Sequence, residues 1–573
     1  MYGGKIMKKK SMLLLFSLLL VLSAFLAACS DTTSSGEDSG EKKEVEGGTV
    51  TFGFTQPFKG VLSYAYYEGE DDANALQFMQ EGLLKTNDDL VAEPNLATYE
   101  FSEDNTVLTF KIKEGVKWHD GVELKAEDME YAWYLIADPN YNGPRYANVA
   151  MIKGVQEYHD GKSDTIEGIK VVDDYTIEVT LIEPQVNVLE NIWTYPEPKH
   201  YYGDLAADKV SEADQVRKNP IGVGPFKVKT IVPGESIEYE RFDDYWQGKP
   251  KLDGVVYKVI DGSLASGLIQ NGEVDVIEAP KDQWETIKAL DNINPVTVDA
   301  MSYSYIGFNF GHYDKEAGKV VMDNPKYQSK ELRQAMVYAI DRQAFIDNFA
   351  SGLGKPLNTP YPTVSWAKIP DDQINSYEFD QEKAKSLLDE AGYKDVDGDG
   401  FREDPDGKPF TIKFDAMSGV ETSEARAQFI LQSWGDVGLK AELNGGSLKE
   451  FNLFYDTVEA DKSEVFMGAW GLANDPDPSG LWLSTDVWNY SRWYNEKSDE
   501  LIKKGIQYPQ DANQDVQEYR KEIYYEWQKI VNEELPTIFF EQREDAWAIN
   551  KRVEGVKVTP FGTEDFHQWH IVE

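Results

Sequence analysis

A single cysteine, Cys29, closes an apolar leader, and its solitude decides how everything after it must be held together. Lys8, Lys9 and Lys10 precede an apolar run from Met12 to Leu22, which continues through Phe25 to Leu26-Ala27-Ala28-Cys29. A basic start, a short apolar stretch and small residues at its end form a secretory leader. The run falls short of the roughly 20 apolar residues that span a bilayer. Translation is read as starting at Met7. With no second thiol there is no intramolecular disulfide, so buried apolar surface must stabilise the folded part.

The segment Leu26-Ala27-Ala28-Cys29 resembles a bacterial lipobox. That resemblance implies cleavage before Cys29, acylation of its thiol and new amine, and a mature chain held on the extracytoplasmic face of the cell membrane of a Gram-positive bacterium. The alternative is an ordinary leader with a chance cysteine. Two or three acyl chains anchor a protein durably, where one does so only marginally. The leader carries Lys5, Lys8, Lys9 and Lys10 and no acid, so its removal makes the net charge of −44 more negative still. Such a surface repels nucleic acid and anionic headgroups. The 573 residues make three or four domain-sized units. Aromatic residues, 13% of the chain, need a core or a ligand to cover them.

Residues 29–48 are polar and glycine-rich without apolar periodicity, as in a flexible tether. Order is expected from Thr49. Val50, Phe52 and Phe54 alternate as in a half-buried strand, as do Leu108, Phe110 and Ile112, and Ile177, Val179 and Leu181. Leu332, Ala335, Met336, Ala339 and Ile340 follow helical spacing. So do Ala384, Leu387, Leu388 and Ala391, with Asp380 as N-cap and Gly392 as stop. Strands and helices mixed along the chain argue for α/β lobes.

Motifs of catalysis are missing. There is no Gly-x-Ser-x-Gly elbow, and Gly161-Lys162-Ser163 lacks the first glycine of a phosphate-binding loop. His567 and His570 stand three apart, not in a His-Glu-x-x-His pattern, and the chain has only 6 histidines for general base or metal work. Nothing singles out a glycosidase pair among the 101 acids. The expectation is a binding protein and not an enzyme.

Several segments recur in a recognisable order. Lys113-Glu-Gly-Val-Lys-Trp-His-Asp-Gly leads through Leu124 into Ala126-Glu-Asp-Met; Asn219-Pro-Ile-Gly-Val-Gly-Pro-Phe is a rigid turn entering a strand; Asp244-Tyr-Trp-Gln-Gly-Lys-Pro and Asn271-Gly-Glu-Val-Asp-Val-Ile follow. Then come Leu332-Arg-Gln-Ala-Met-Val-Tyr-Ala-Ile-Asp and the stretch from Ala384 to Tyr393. Together they resemble the family 5 (cluster C) extracytoplasmic solute-binding proteins, over roughly 48–570. The resemblance implies an α/β fold of the type II periplasmic-binding-protein class, with two lobes, a hinge and the extra domain of cluster C. It implies domain I at 49–82, 201–302 and 540–573, domain II at 83–200 and domain III at 303–539, with crossings near 302 and 540. One departure is Lys125, where the family has threonine before Ala-Glu-Asp; lysine caps a helix poorly.

A receptor for peptides should pair with their backbone, wall apolar side chains with aromatics, and meet the amino terminus with an acid. The segment Trp470-Gly471-Leu472-Ala473-Asn474-Asp475-Pro476-Asp477 supplies these parts, and residues 470–494 hold six aromatics. By resemblance this segment lines the cleft, and the amine-binding position falls on Ala473. Either Asp475 or Asp477 takes that role, or the terminus is not gripped there. The blander reading is a proline-rich surface turn. Tyr303, Tyr305 and Asn309 form a second group on a strand that lines the cleft in relatives; a core role suits either ring equally. Glu70, Asp71 and Asp72 align with a domain I edge that contacts ligand, although an acidic run is usually a solvated loop.

Asp395, Asp397, Asp399, Glu403 and Asp406 occupy positions 1, 3, 5, 9 and 12 of an EF-hand-like loop, with Gly400 at 6 and the Phe401 carbonyl at 7. The shorter Asp406, the preceding Pro405 and the strand-like Phe410-Thr-Ile-Lys-Phe depart from that pattern. A structural Ca²⁺ and a metal-free acidic turn are both open; no cofactor is required for binding. The function expected is a monomeric, lipid-anchored receptor that captures oligopeptides for the membrane permease subunits of an ABC importer. The same fold holding another solute, such as an oligosaccharide, is the alternative; few histidines argue against a nickel complex.

Overall fold

Two long strands, Ile293–Phe308 and Thr537–Asn550, run antiparallel through the middle of the molecule and set its plan. A computed structural model of the protein describes residues 43–573. Cys29 and the leader lie outside the described residues, as does the expected tether before residue 43; its last part is not loose, because Glu44–Val45 is a strand paired with His570–Val572. Glu44–Glu573 form one compact unit.

The long strands are the centre of an 11-stranded mixed sheet, in which Gly354–Pro356 pairs with Thr537–Asn550 off the main order. Beyond Thr537–Asn550 the order continues through Val276–Glu278, Thr49–Phe54, Gly254–Val259, Ser236–Arg241 and Phe226–Val232. Beyond Ile293–Phe308 it continues through Val465–Gly471, Thr411–Asp415 and Lys440–Leu443. One half of each long strand therefore serves each end of the sheet. Ile293–Asp299 pairs with Glu544–Asn550, and Tyr303–Gly307 with Thr537–Gln542. Between them Ala300, Met301 and Ser302 stand opposite Arg543 alone, a bulge in the ladder. Bulges bend and twist a strand locally, so the sheet changes direction here.

The alternating sequences form the strands they suggest. Val50 and Phe52 are buried in Thr49–Phe54, and Phe52 stacks on Tyr257 of the neighbouring strand. Leu108, Phe110, Ile112, Ile177 and Val179 are buried in a separate four-stranded antiparallel sheet made of Ala97–Phe101, Val107–Ile112, Thr176–Thr180 and Ile169–Asp173. The helix Ala126–Ala137 packs on that sheet, with Trp133 against Phe110. Lys125 is its N-cap residue, and its side chain does not cap; Asp128 instead accepts the Lys125 N–H at 3.0 Å. Lysine is tolerated there because the acid three residues on takes over the capping.

Helix Lys330–Tyr338 is capped by Ser329, whose hydroxyl accepts the Leu332 N–H, and helix Gln381–Glu390 by Asp380, which accepts the Lys383 N–H. Leu332, Ala335, Met336, Ala384 and Leu388 are fully buried where these helices meet. Gly392 at φ +87° ends the second helix, a conformation that favours glycine.

The buried apolar residues gather in separate clusters. One runs from Tyr303 to Phe540, and a second from Val61 to Val223. A third joins Val50, Phe52, Phe78 and Met79 to Trp547 and Trp569. A smaller one holds Ile260 to Ile293 with Ala546 and Ala548. Among the described residues no helix is long and apolar enough to cross a membrane.

Candidate functional site

The bulge on the long strands opens into a cavity of about 1030 Å³. Phe54, Glu70, Glu278 and Trp547 line one side, and Val420 and Trp470 the other, with Ala300, Met301 and Ser302 between. Trp470 is placed by strand Val465–Gly471, where it sits opposite Tyr303. Its ring lies parallel to Tyr305, with centroids 6.3 Å apart, and stacks on Tyr490 at 5.5 Å. Aromatic contacts on both flanks fix its orientation without filling the cavity in front of it. The chain then leaves the sheet: the Leu472 N–H donates to the Met301 carbonyl at 2.7 Å. The Ala473 and Asn474 N–H groups donate to no other group among the described residues.

A second cavity, of about 320 Å³, lies behind Trp470 and shares Met301, Trp470, Gly471 and Leu472 with the first. Its walls are Tyr303, Tyr361, Trp470, Leu472, Trp482 and Trp488. Pro360, Pro476 and Pro478 stiffen it. Trp488 is 57% exposed, a large ring left in water beside an apolar recess.

Asp475 and Asp477 also line this recess, yet neither carboxylate is free. Arg520 donates to both oxygens of Asp475, at 2.7 and 2.8 Å, and the pair is buried on both sides. The Asp477 N–H donates to Asp475 as well, at 3.0 Å. Asp477 accepts the Ser479 N–H and hydroxyl at 3.0 and 2.7 Å. Burial raises the Asp477 pKa, the Ser479 bonds oppose this, and the nearby Asp475 charge adds to the rise.

The other predicted residues divide. Tyr303 faces the smaller cavity; Tyr305 lies in the core beneath Trp470 and lines neither. Asn309 is buried farther along the strand, where its Oδ1 accepts the Gly311 N–H at 2.9 Å, and it lines neither cavity. The acidic run at Glu70 is not a solvated loop but the first turn of helix Glu70–Leu76, where acids favour the dipole. Glu70 lines the large cavity. Asp71 and Asp72 point away from it: Asp71 accepts the Lys59 N–H, and Asp72 those of Gly60 and Val61 at 2.7 and 3.1 Å. They hold a turn.

The floor of the large cavity carries charges that the sequence did not single out. Burial raises the Glu278 carboxyl to about 7, and Asp545 and Glu70 add to the rise as like charges. Burial lowers the Lys281 pKa, with Arg543 as a second, repelling cause. Arg520 left a faint sequence signal: it shares the apolar stripe of helix Val516–Glu534 with Ile523, Tyr524, Trp527 and Val531. A cation on such a stripe calls for a buried partner.

In the acidic loop, oxygens of Asp395, Asp397 and Glu403 lie within 4.8 Å of one another. Asp395 also accepts the N–H groups of Gly398 and Gly400, at 2.7 and 3.0 Å. Asp399 stands outside the group and accepts the Phe401 N–H at 2.8 Å. Asp406 stands outside it too, paired with Lys408 at 3.2 Å. The loop shares no lining residue with either cavity.

Residues 91–491 match the family model described as "Bacterial extracellular solute-binding proteins, family 5 Middle". The chain is 29% identical over 496 residues to the oligopeptide-binding protein OppA of Lactococcus lactis subsp. lactis, covering 83% of this chain and 81% of that one. It is also 29% identical over 508 residues to the oligopeptide-binding protein AppA of Bacillus subtilis (strain 168), covering 87% of each. Among solved structures it is similar to lactococcal OppA complexed with an endogenous peptide in the closed conformation, with a TM-score of 0.77 and 26% identity over 91% of this chain and all of that one. The fold is the two-lobed α/β type II periplasmic-binding-protein fold.

Proposed function

Because the chain belongs to the bacterial extracellular solute-binding proteins of family 5, we propose that it is a receptor which captures oligopeptides at Trp470 and hands them unchanged to the permease of an ABC importer. The observation that carries this is the end of strand Val465–Gly471. Trp470, Gly471 and Leu472 line the large cavity, and just past the strand the amides of Ala473, which lines the recess, and Asn474 have no acceptor among the described residues. An extended peptide satisfies such groups as an added strand and gains affinity from main-chain bonds that are blind to its sequence. Aromatic walls suit varied side chains, and the recess behind Trp470 suits an apolar one.

The bulge at Ala300–Ser302 supports a hinge there, with the domain divisions expected from the sequence rotating about it. The peptide binds the closed form better and so shifts the open–closed balance. Commitment of Asp475 to Arg520 supports the option that the amino terminus is not gripped there. Acylation at Cys29 would hold the receptor, as a monomer, at the extracytoplasmic face of the membrane. The three converging acids Asp395, Asp397 and Glu403 would hold a Ca²⁺ that braces its own lobe. A rise in melting temperature with added Ca²⁺, absent in Asp395→Asn, tests this last part.

Native mass spectrometry of the purified protein tests the central reading. The expected result is a set of bound masses that resolve into intact peptides on release. Binding of glycans alone, or recovery of cleaved peptides, would reject it.

A further inference from the structure

The two cavities belong to the site already described; the contact that closes over their far side does not. Asn187 is anchored in the apolar cluster of the smaller sheet by its neighbours Val188 and Ile192. Asp475 and Asp477 follow the strand that belongs to the other end of the molecule. The Asn187 Nδ2 donates to Asp475 Oδ1 at 3.2 Å and lies 3.4 Å from Asp477 Oδ2. Asn187 is only 2% exposed, and its Oδ1 is buried without a partner. Two lighter contacts join the same two parts of the molecule. The Val186 N–H donates to the Ile506 carbonyl at 3.2 Å, and Asn474 Nδ2 to Thr86 Oγ1 at 3.3 Å.

We propose that Asn187 is a latch: a positioning residue that holds the cleft closed by gripping Asp475 and Asp477, and so ties closure to occupancy of the recess behind Trp470. This rests on the receptor reading for its ligand, but not for the latch itself. The recess and the latch share residues. Asp475, Pro476, Asp477 and Pro478 line the recess, and the same carboxylates meet Asn187 from the other domain. Arg520 and the Tyr361 hydroxyl, which donates to the Pro476 carbonyl, hold this segment where Asn187 reaches it, and a side chain that fills the recess packs against the same wall. An amide fits because the local charge is already set. Asp475, Asp477 and the half-buried Glu190 stand near one guanidinium, so the position calls for a hydrogen-bond donor, and a further acid would repel. The orphaned Oδ1 keeps the latch weak, since closing strips that oxygen of water without replacing its bond. A receptor that must release its load needs a latch of that kind.

The test uses the full mature chain and two variants, Asn187→Ala and Asn187→Asp. Small-angle scattering of the ligand-free protein reads the open fraction. Stopped-flow tryptophan fluorescence reads association and dissociation of a peptide recovered from the protein. The expected result is more open ligand-free protein in both variants. Dissociation should be about 10-fold faster in Asn187→Ala and faster again in Asn187→Asp, with association changed less than about threefold. Asn474→Ala, which removes only an outlying contact, should give a smaller shift in the same direction and covers the case in which Asn187→Asp does not fold. Scattering and dissociation rates equal to wild type in Asn187→Ala would overturn the latch. Failure of any peptide to bind the wild type would reject the receptor reading and leave the scattering comparison to decide the latch alone.

Discussion

Arg520 holds both oxygens of Asp475 from a helix 45 residues farther along the chain, and both side chains are buried. A carboxylate so placed is a structural element of the recess wall rather than a free acid waiting for a ligand. Removing it should therefore act on stability first. Asp475→Ala leaves a buried guanidinium without its counter-charge and should destabilise the fold by about 3–5 kcal/mol. Replacing both partners, as Asp475→Leu with Arg520→Met, should recover part of that loss, because the Asp477 N–H and the Asn187 amide lose their acceptor either way. Urea denaturation of the single and double variants measures both, and a double variant as weak as the single one would reject the account.

The same pairing bears on how the ligand is held. Arg520 takes both oxygens of Asp475, and Ser479 takes Oδ1 of Asp477, which leaves Asp477 Oδ2 with a single 3.4 Å contact to Asn187. A free and an N-acetylated form of one peptide should bind with affinities within about threefold, a difference of less than about 1 kcal/mol. Isothermal titration with the pair decides it; a tenfold preference for the free amine would show that the terminus is gripped after all.

Glu278 should give the cavity floor a pH signature. Its carboxyl is raised to about 7 by burial and then by Asp545 and Glu70, against the opposing pull of Arg543 and Lys281. An acid whose folded pKa lies above its unfolded one binds its proton more tightly in the folded state. Its contribution therefore favours folding at low pH and fades as the pH rises through about 7. Glu278→Gln removes this dependence. The variant should match wild type near pH 4 and exceed it near pH 8, by up to about 3 kcal/mol. Denaturation at both pH values checks the sign, and a constant difference between them would contradict it.

Cys29→Ser should move the protein from the cell surface into the medium, because no other thiol is available to carry a lipid. Fractionation followed by mass analysis of the amino terminus reads the outcome. Retention of the variant on the membrane would refute the anchor.

Local patterns carried much of this structure in the sequence. Alternation at Val50 and Phe52, helical spacing from Leu332 to Ile340 and the cap at Asp380 all depend on neighbours a few residues apart, and they fold as they read. The aromatic segment at Trp470 announced itself by composition, and it lies beside both cavities. What composition could not convey was which face each residue shows. Asn309 looks like Tyr303 in a linear reading, yet a turn at Gly311 consumes its amide. Asp71 and Asp72 differ from Glu70 only by helical rotation, and that rotation takes them away from the cavity. The grip of Asn187 on Asp475 spans 288 residues, and no periodicity reports a contact of that separation.

The bulge at Ala300–Ser302 has a mechanical side. A hydrogen-bonded ladder is stiff where its rungs are regular; the long strands lose register at Ala300–Ser302 and again between Ser304 and Tyr305, and Gly354–Pro356 pairs with Glu541–Arg543 alongside. Displacement under bending grows with distance from the pivot. Met301 lies at the bulge and lines both cavities, so a hinge placed there would leave it in position while Glu70 and Val420 moved with their walls. A strand pair hinged there would be a flexure: the contact surface nearest the pivot would be present before the jaws move, and the rims would complete it afterwards.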